Sequence, residues 1–126
     1  MARPAAELTA RELEVMQVFW KKGELTAAEA RDELAAAGLD RAYTTIATLV
    51  RILTEKKFLE QTSSERPFRY RPLKSYQEVS GSLLTEMVRR VFGGSREQLL
   101  VRLLEGKKLS AKERAVLEDV LKEHRS

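Results

Sequence analysis

Two groups of side chains in this sequence suit contact with a polyanion. The first is Arg41, Thr44, Thr45, Thr48 and Arg51. Their spacing puts them largely on one side of a helix whose other side carries Ile46, Leu49, Val50 and Leu53, at i, i+3, i+4 and i+7. Threonine hydroxyls bond phosphates or base edges, and threonine methyls touch thymine methyls. Arginine pairs bidentately with guanine or phosphate, and a helix N-terminus favours a phosphate beside it. The second group is Arg66, Arg69 and Arg71, in an alternating segment just after a turn. From there they reach DNA backbone or minor groove beside such a helix. The same residues also fit a plainer role: threonines on a solvated face, and arginines that keep an edge strand from aggregating.

Other chemistry finds no support. The chain has 126 residues and no cysteine, so thiolate sites and disulfides have no residues to build them; with one histidine, His124, a His-based zinc site or catalytic triad is not expected. No nucleophile–base pair or phosphate-cradling glycine loop is present, and Gly93-Gly94 reads as a helix break. A non-enzymatic protein without cofactor or metal is expected. No apolar run approaches the roughly 18 residues of a membrane span, and Met1–Glu7 lacks a secretory core. The expectation is a cytoplasmic protein with no membrane partner.

Charge is placed unevenly. Residues 1–40 carry five Lys/Arg and eight Asp/Glu, whereas residues 41–74 carry eight and three, a local +5. Residues 75–126 carry ten and eight. A local basic surface indicates a phosphate partner better than the overall +4 does.

The elements that position these residues follow from caps and periodicity. Four Ser/Thr-x-x-Glu/Gln boxes mark helix starts: Thr9…Glu12, Thr26…Glu29, Ser95…Gln98 and Ser110…Glu113. The first helix spans about 10–22, with Leu13, Met16, Phe19 and Trp20 as its stripe and Leu8–Leu13 as a staple. The second spans about 27–37. The third follows Asp40 as N-cap and runs to about 57. Phe58–Thr62 and Pro67–Arg71 then form a β-hairpin with its tip near Ser63–Arg66, and the two prolines put the second strand at an edge. Three further helices follow, from Ser75, Arg96 and Ala111. The fifth is apolar over most of its circumference and should be buried on more than one side. Three helices of this size make a marginal core alone. They are expected to bury Tyr76, Val79, Leu83, Met87, Leu99, Leu100, Leu103, Leu104, Val116, Leu117, Val120 and Leu121 against a second copy.

The fold class is therefore mainly α: a winged helix-turn-helix with a small β-hairpin wing over residues 1–74, followed by an α-helical dimerisation domain over 75–126. The second helix of a helix-turn-helix pair reads the major groove. A winged-helix module that binds protein instead of specific DNA is the alternative.

The stretch Leu8-Thr-Ala-Arg-Glu-Leu-Glu-Val-Met-Gln-Val-Phe-Trp20 resembles the opening of the BlaI/MecI/CopY penicillinase-repressor family. Tyr43-Thr-Thr-Ile-Ala-Thr-Leu49 is similar to its recognition helix and Phe68-Arg-Tyr70 to its wing. The likeness continues through Gly93-Gly94 and Leu103–Ser110. It implies a homodimeric repressor whose winged helix binds a two-fold symmetric DNA operator and whose C-terminal helices dimerise. The candidate DNA contacts are then Arg41, Tyr43, Thr44, Thr45, Thr48, Arg51, Arg66 and Arg69. It also implies a sensor-linked protease as a partner, releasing the repressor by cleavage in the fifth helix.

The sequence departs from the family at four places. The family's Arg-Leu late in the recognition helix is Ile52-Leu53 here, with arginine one position earlier, about 100° around the helix. The glycine after that helix is Lys57. The cleaved Asn-Phe bond of the β-lactam-responsive members corresponds to Arg102-Leu103. The cysteine cluster of the copper-responsive members has no counterpart.

Overall fold

The computed structural model describes residues 8–124, which divide into two compact units, one up to Glu86 and one from Met87. The element order is α1 (Ala10–Lys22), β1 (Leu25–Thr26), α2 (Ala27–Ala36), α3 (Tyr43–Glu55), β2 (Leu59–Gln61), β3 (Arg69–Pro72), α4 (Tyr76–Val91), α5 (Arg96–Leu104) and α6 (Ala111–Glu123). Among the described residues, no helix is long and apolar enough to cross a membrane.

In the N-terminal unit, reciprocal capping boxes open α1 and α2. Thr9 accepts from the Glu12 amide at 3.1 Å, and Glu12 accepts from the Thr9 amide at 2.9 Å; Thr26 and Glu29 do the same. The three helices pack around Val15, Met16, Phe19, Leu34, Ile46, Val50 and Leu53, and Phe58 and Leu59 close the core from the hairpin side. Each large apolar side chain buried this way contributes about 1.5–3 kcal/mol. Leu8 is buried in this cluster, and Leu13 packs against it while partly exposed.

The sheet differs from the two-stranded expectation. It has three antiparallel strands in the order β1-β3-β2. The predicted edge strand, β3, is therefore central. Leu25 and Thr26 pair with Tyr70 and Arg69, while Leu59, Glu60 and Gln61 pair with Pro72, Arg71 and Tyr70. Pro72 is tolerated because β1 is too short to reach it, and Pro67 precedes the strand. The N-cap of α3 also differs. It is Ala42 rather than Asp40, because the chain stays extended past Arg41.

The two compact units divide inside α4, between Glu86 and Met87. Ser75 and Glu78 form a capping box absent from the predicted set, with bonds of 3.2 and 3.0 Å. The first turns of α4 then pack on the N-terminal unit. Val79 is only 2% exposed in its core, Leu83 packs against that core, and Tyr76 meets Trp20 edge to face at 5.5 Å. Val79 is thus a core residue of the winged unit and has no surface to offer a partner.

In the unit from Met87, α4 ends in a turn where the Gly94 amide closes onto the Val88 carbonyl at 2.9 Å. Ser95 caps α5 through the Gln98 amide alone, and Ser110 caps α6 with a full box. No described residue of this unit is buried. The expectation that α5 is buried on more than one side is not met within one chain: Leu100, Leu103 and Leu104 are exposed, as are Val116, Leu117, Val120 and Leu121 on α6.

Candidate nucleic-acid interface

α3 is amphipathic in the sense needed for a groove-reading helix. Ile46, Val50 and Leu53 are buried, with Leu49 partly so. At 100° per residue the opposite side is Thr44, Thr48, Arg51 and Glu55, all exposed. Tyr43, Ala47 and Arg51 form the flank toward the wing, and Thr45 lies on the other flank. Thr44, Thr45, Thr48 and Leu49 line a shallow hollow of about 310 Å³. None of the three hydroxyls makes a hydrogen bond among the described residues.

The N-terminus of α3 is built unlike the other helix starts. Ala42 supplies no side-chain cap, and the first turn holds no acidic residue. Each of the other five helices carries a glutamate there: Glu12, Glu29, Glu78, Glu97 and Glu113. α3 alone among them leaves its positive end without an internal anion.

Between α3 and the wing runs an open groove of about 750 Å³. Tyr43, Ala47 and Arg51 form one wall, and Arg66, Phe68 and Tyr70 the other. Burial and the neighbouring Tyr43 push the Tyr70 hydroxyl above its ordinary pKa. Arg66 stacks over the Phe68 ring at 5.4 Å and makes no ion pair among the described residues.

Five further cations of this segment are ion-paired within the chain, Arg51 and Arg71 at the exposed surface. Arg41 lies before α3, where its Nη2 donates to both Glu14 carboxylate oxygens at 3.2 and 3.1 Å, and its Nε is buried without a partner. Lys56 Nζ bonds both oxygens of Glu12 at 2.9 Å. Arg51 pairs with Glu55 at 2.9 Å and Arg71 with Glu60 at 3.0 Å. Arg69 meets Glu24 at 2.9 Å and Glu29 at 3.3 Å. Hydrogen bonding to Arg69, then to Thr62, holds the Glu24 carboxyl below the usual carboxylate value; the Thr26 backbone amide does most of the same for Glu29. The same pairing with Glu24 raises the Arg69 pKa.

The local +5 is thus largely balanced by the acidic first 40 residues, through Glu12, Glu14, Glu24 and Glu29. Pattern along the sequence showed the two charged segments but not that they face each other. Of the predicted contact residues, Tyr43, Thr44, Thr48, Arg51 and Arg66 converge on the exposed face and groove, with Thr45 at the flank. Arg41 and Arg69 are instead held by carboxylates. Glu55, on the outward stripe, was not among the predicted set; its i+4 spacing from Arg51 was the available signal. Among the described residues, no group of acidic or histidine side chains is placed to hold a metal.

Two curated relatives from Mycobacterium tuberculosis strains, each named transcriptional regulator BlaI, are 30% identical over 92 residues, covering 72% of this chain and 67% of theirs. The solution structure of the DNA binding domain of the repressor BlaI matches 62% of this chain and 93% of its own, with a TM-score of 0.52 and 28% identity. RosR of H. salinarum, at 14% identity and a TM-score of 0.52 over 94% of each chain, shares the fold. The family model for the penicillinase repressor matches residues 8–123. The fold is a winged helix, and the chain belongs to the penicillinase repressor family.

Proposed function

We propose that this protein is a homodimeric DNA-binding transcriptional repressor that occupies a pseudo-palindromic operator through α3 and the wing. The observation that carries this is the outer face of α3. Thr44, Thr48 and Arg51 are exposed along a helix of 13 residues, about 20 Å long, with an uncapped, acid-free N-terminus. Such a helix fits a major groove about 12 Å wide. Tyr43, Thr44, Thr45 and Thr48 face bases or the adjoining backbone. Arg51 and Arg66, on opposite walls of the groove, are the cations for phosphate. The relatives named as BlaI regulators support the same assignment.

Dimerisation belongs to this reading. The helices from Met87 bury nothing among the described residues and expose an apolar stripe on both α5 and α6. A second copy covers both stripes, and two-fold protein symmetry then matches a two-fold operator. Repression needs no chemistry: the bound dimer excludes polymerase. Release by a sensor-linked protease would act at Arg102-Leu103, a bond inside α5, so that cleavage there divides the dimer surface.

The test is a genomic-fragment selection with purified protein at two salt concentrations. A recovered pseudo-palindrome is expected, with log K falling against log salt at a slope of about −7 for roughly eight phosphates per dimer. Weak, sequence-independent retention would overturn the assignment in favour of a protein-binding winged helix.

A further inference from the structure

We infer that Arg69 is a positioning residue: with Glu24 and Glu29 it forms a three-point latch that fixes the wing against β1 and the N-terminus of α2. The inference rests on the DNA-binding reading for its consequence, not for its geometry. Arg69 Nε donates to Glu24 Oε2 at 2.9 Å, Nη2 to the Glu24 backbone carbonyl at 3.2 Å, and Nη1 to Glu29 Oε1 at 3.3 Å. That same Glu29 oxygen accepts the Thr26 amide at 2.8 Å in the capping box of α2. Thr26 is also the residue opposite Arg69 in the β1–β3 pairing. One guanidinium therefore joins the central strand of the sheet, the residue that leads into the edge strand β1 and the cap of α2.

Charge and geometry both turn this arginine away from a phosphate role. Arg69 with its two carboxylates carries a net −1, so an approaching phosphate meets repulsion. Nε, Nη1 and Nη2 each already donate to an acceptor inside the protein. Arg66 carries no such carboxylates and remains the wing cation for DNA. The latch matters because the groove between α3 and the wing is open. Its far wall is Arg66, Phe68 and Tyr70, and its width depends on where β3 is held.

The test uses the full chain with Arg69→Gln, Glu24→Gln/Glu29→Gln and the triple variant. Glutamine at 29 still serves the capping box. Binding to the selected operator should weaken about fivefold in both the single and the double variant, and no further in the triple. The salt slope of Arg69→Gln should equal that of the wild type. Arg69→Lys should recover operator binding only in part, because an ammonium lacks the fork that spans both carboxylates. Tighter binding by Glu24→Gln/Glu29→Gln, with a slope reduced by about one in Arg69→Gln, would make Arg69 a phosphate contact and overturn the latch. A DNA-free arm separates this from the functional reading. In NMR spectra of the full chain, the backbone amides of Arg66 and Phe68 should shift or broaden in both variants. Unchanged wing amides would overturn the latch whether or not an operator exists. Failure of the wild type to bind any operator would overturn only the DNA-binding reading.

Discussion

At the scale of single residues, two positions carry unusual local energetics. Lys57 follows α3 at φ +70°, the one described non-glycine residue with positive φ. It supports a turn in which the Phe58 amide closes onto the Leu53 carbonyl at 2.9 Å. A side chain in that conformation costs about 1 kcal/mol relative to glycine. Lys57→Gly should therefore raise stability by about 1 kcal/mol in denaturant titrations, with Lys57→Asn in between; a loss of stability would mean the lysine side chain contributes more than its backbone costs. Glu12 is the second position. It is 2% exposed, yet charged. Burial pushes its pKa up, but the Lys56 ammonium and the Thr9 amide and hydroxyl outweigh burial, and the net shift is downward from 4.5. A lowered folded-state pKa contributes stability above the unfolded value, lost as pH falls through the folded value. Glu12→Gln should cost about 2 kcal/mol at pH 7, since it removes the carboxylate from a mostly buried ion pair with Lys56. In unfolding titrations the gap between variant and wild type should narrow below about pH 4.5. A gap constant with pH would mean the charge of Glu12 is not what stabilises.

At the scale of elements, legibility followed the range of the signal. The ends of α1 and α2 were readable because Thr9, Thr26 and Gly23 act within one turn of chain. β1 was not: two residues have no period, and Leu25-Thr26 become a strand only because Tyr70 and Arg69 arrive beside them. The start of α3 was misplaced for a related reason. Asp40 is a good cap by type, but the chain is still extended at Ala42, and Arg41 is tied to Glu14 of α1 before the helix starts at Tyr43. Of the site, the threonine face was legible from spacing, whereas the pairing of Arg41 and Arg69 with distant glutamates was not. α3 also yields a prediction of its own. Glu55 lies one turn beyond Arg51 on the outward stripe and holds it at 2.9 Å. A phosphate must displace that carboxylate, and the carboxylate itself repels the backbone. Glu55→Gln should tighten binding to non-cognate duplex by about threefold at low salt, with the gain fading as salt rises. An affinity unchanged at every salt concentration would place Arg51 away from the DNA.

At the scale of the whole molecule, the two units are stabilised on different terms. The winged unit has its own core, from Val15 on α1 to Val79 on α4. The helices from Met87 leave every described apolar residue at least partly exposed, with Leu103 at 66%. Patches of this kind mark contact surfaces, and so small a unit cannot offset its chain entropy without one. On the proposed dimer, a charge placed on either stripe should separate the two copies without unfolding the winged unit. Leu103→Glu and Leu121→Glu are the variants to compare, one on each helix. In sedimentation both should be monomers at concentrations where the wild type is a dimer. Trp20 reports on the other unit: it is the one tryptophan, and its Nε1 donates to the Lys74 carbonyl at 2.9 Å. Its fluorescence should be unchanged in both variants. Binding to an isolated half-site should also stay as in the wild type, because α3 and the wing are intact. Binding to the full operator should fall by about 10²–10⁴, the effective-concentration gain that a linked second module supplies. If both variants remain dimers, the α5 and α6 stripes are not the interface. If they are monomers that bind the full operator unimpaired, each winged unit acts alone and two-fold symmetry has no part in recognition.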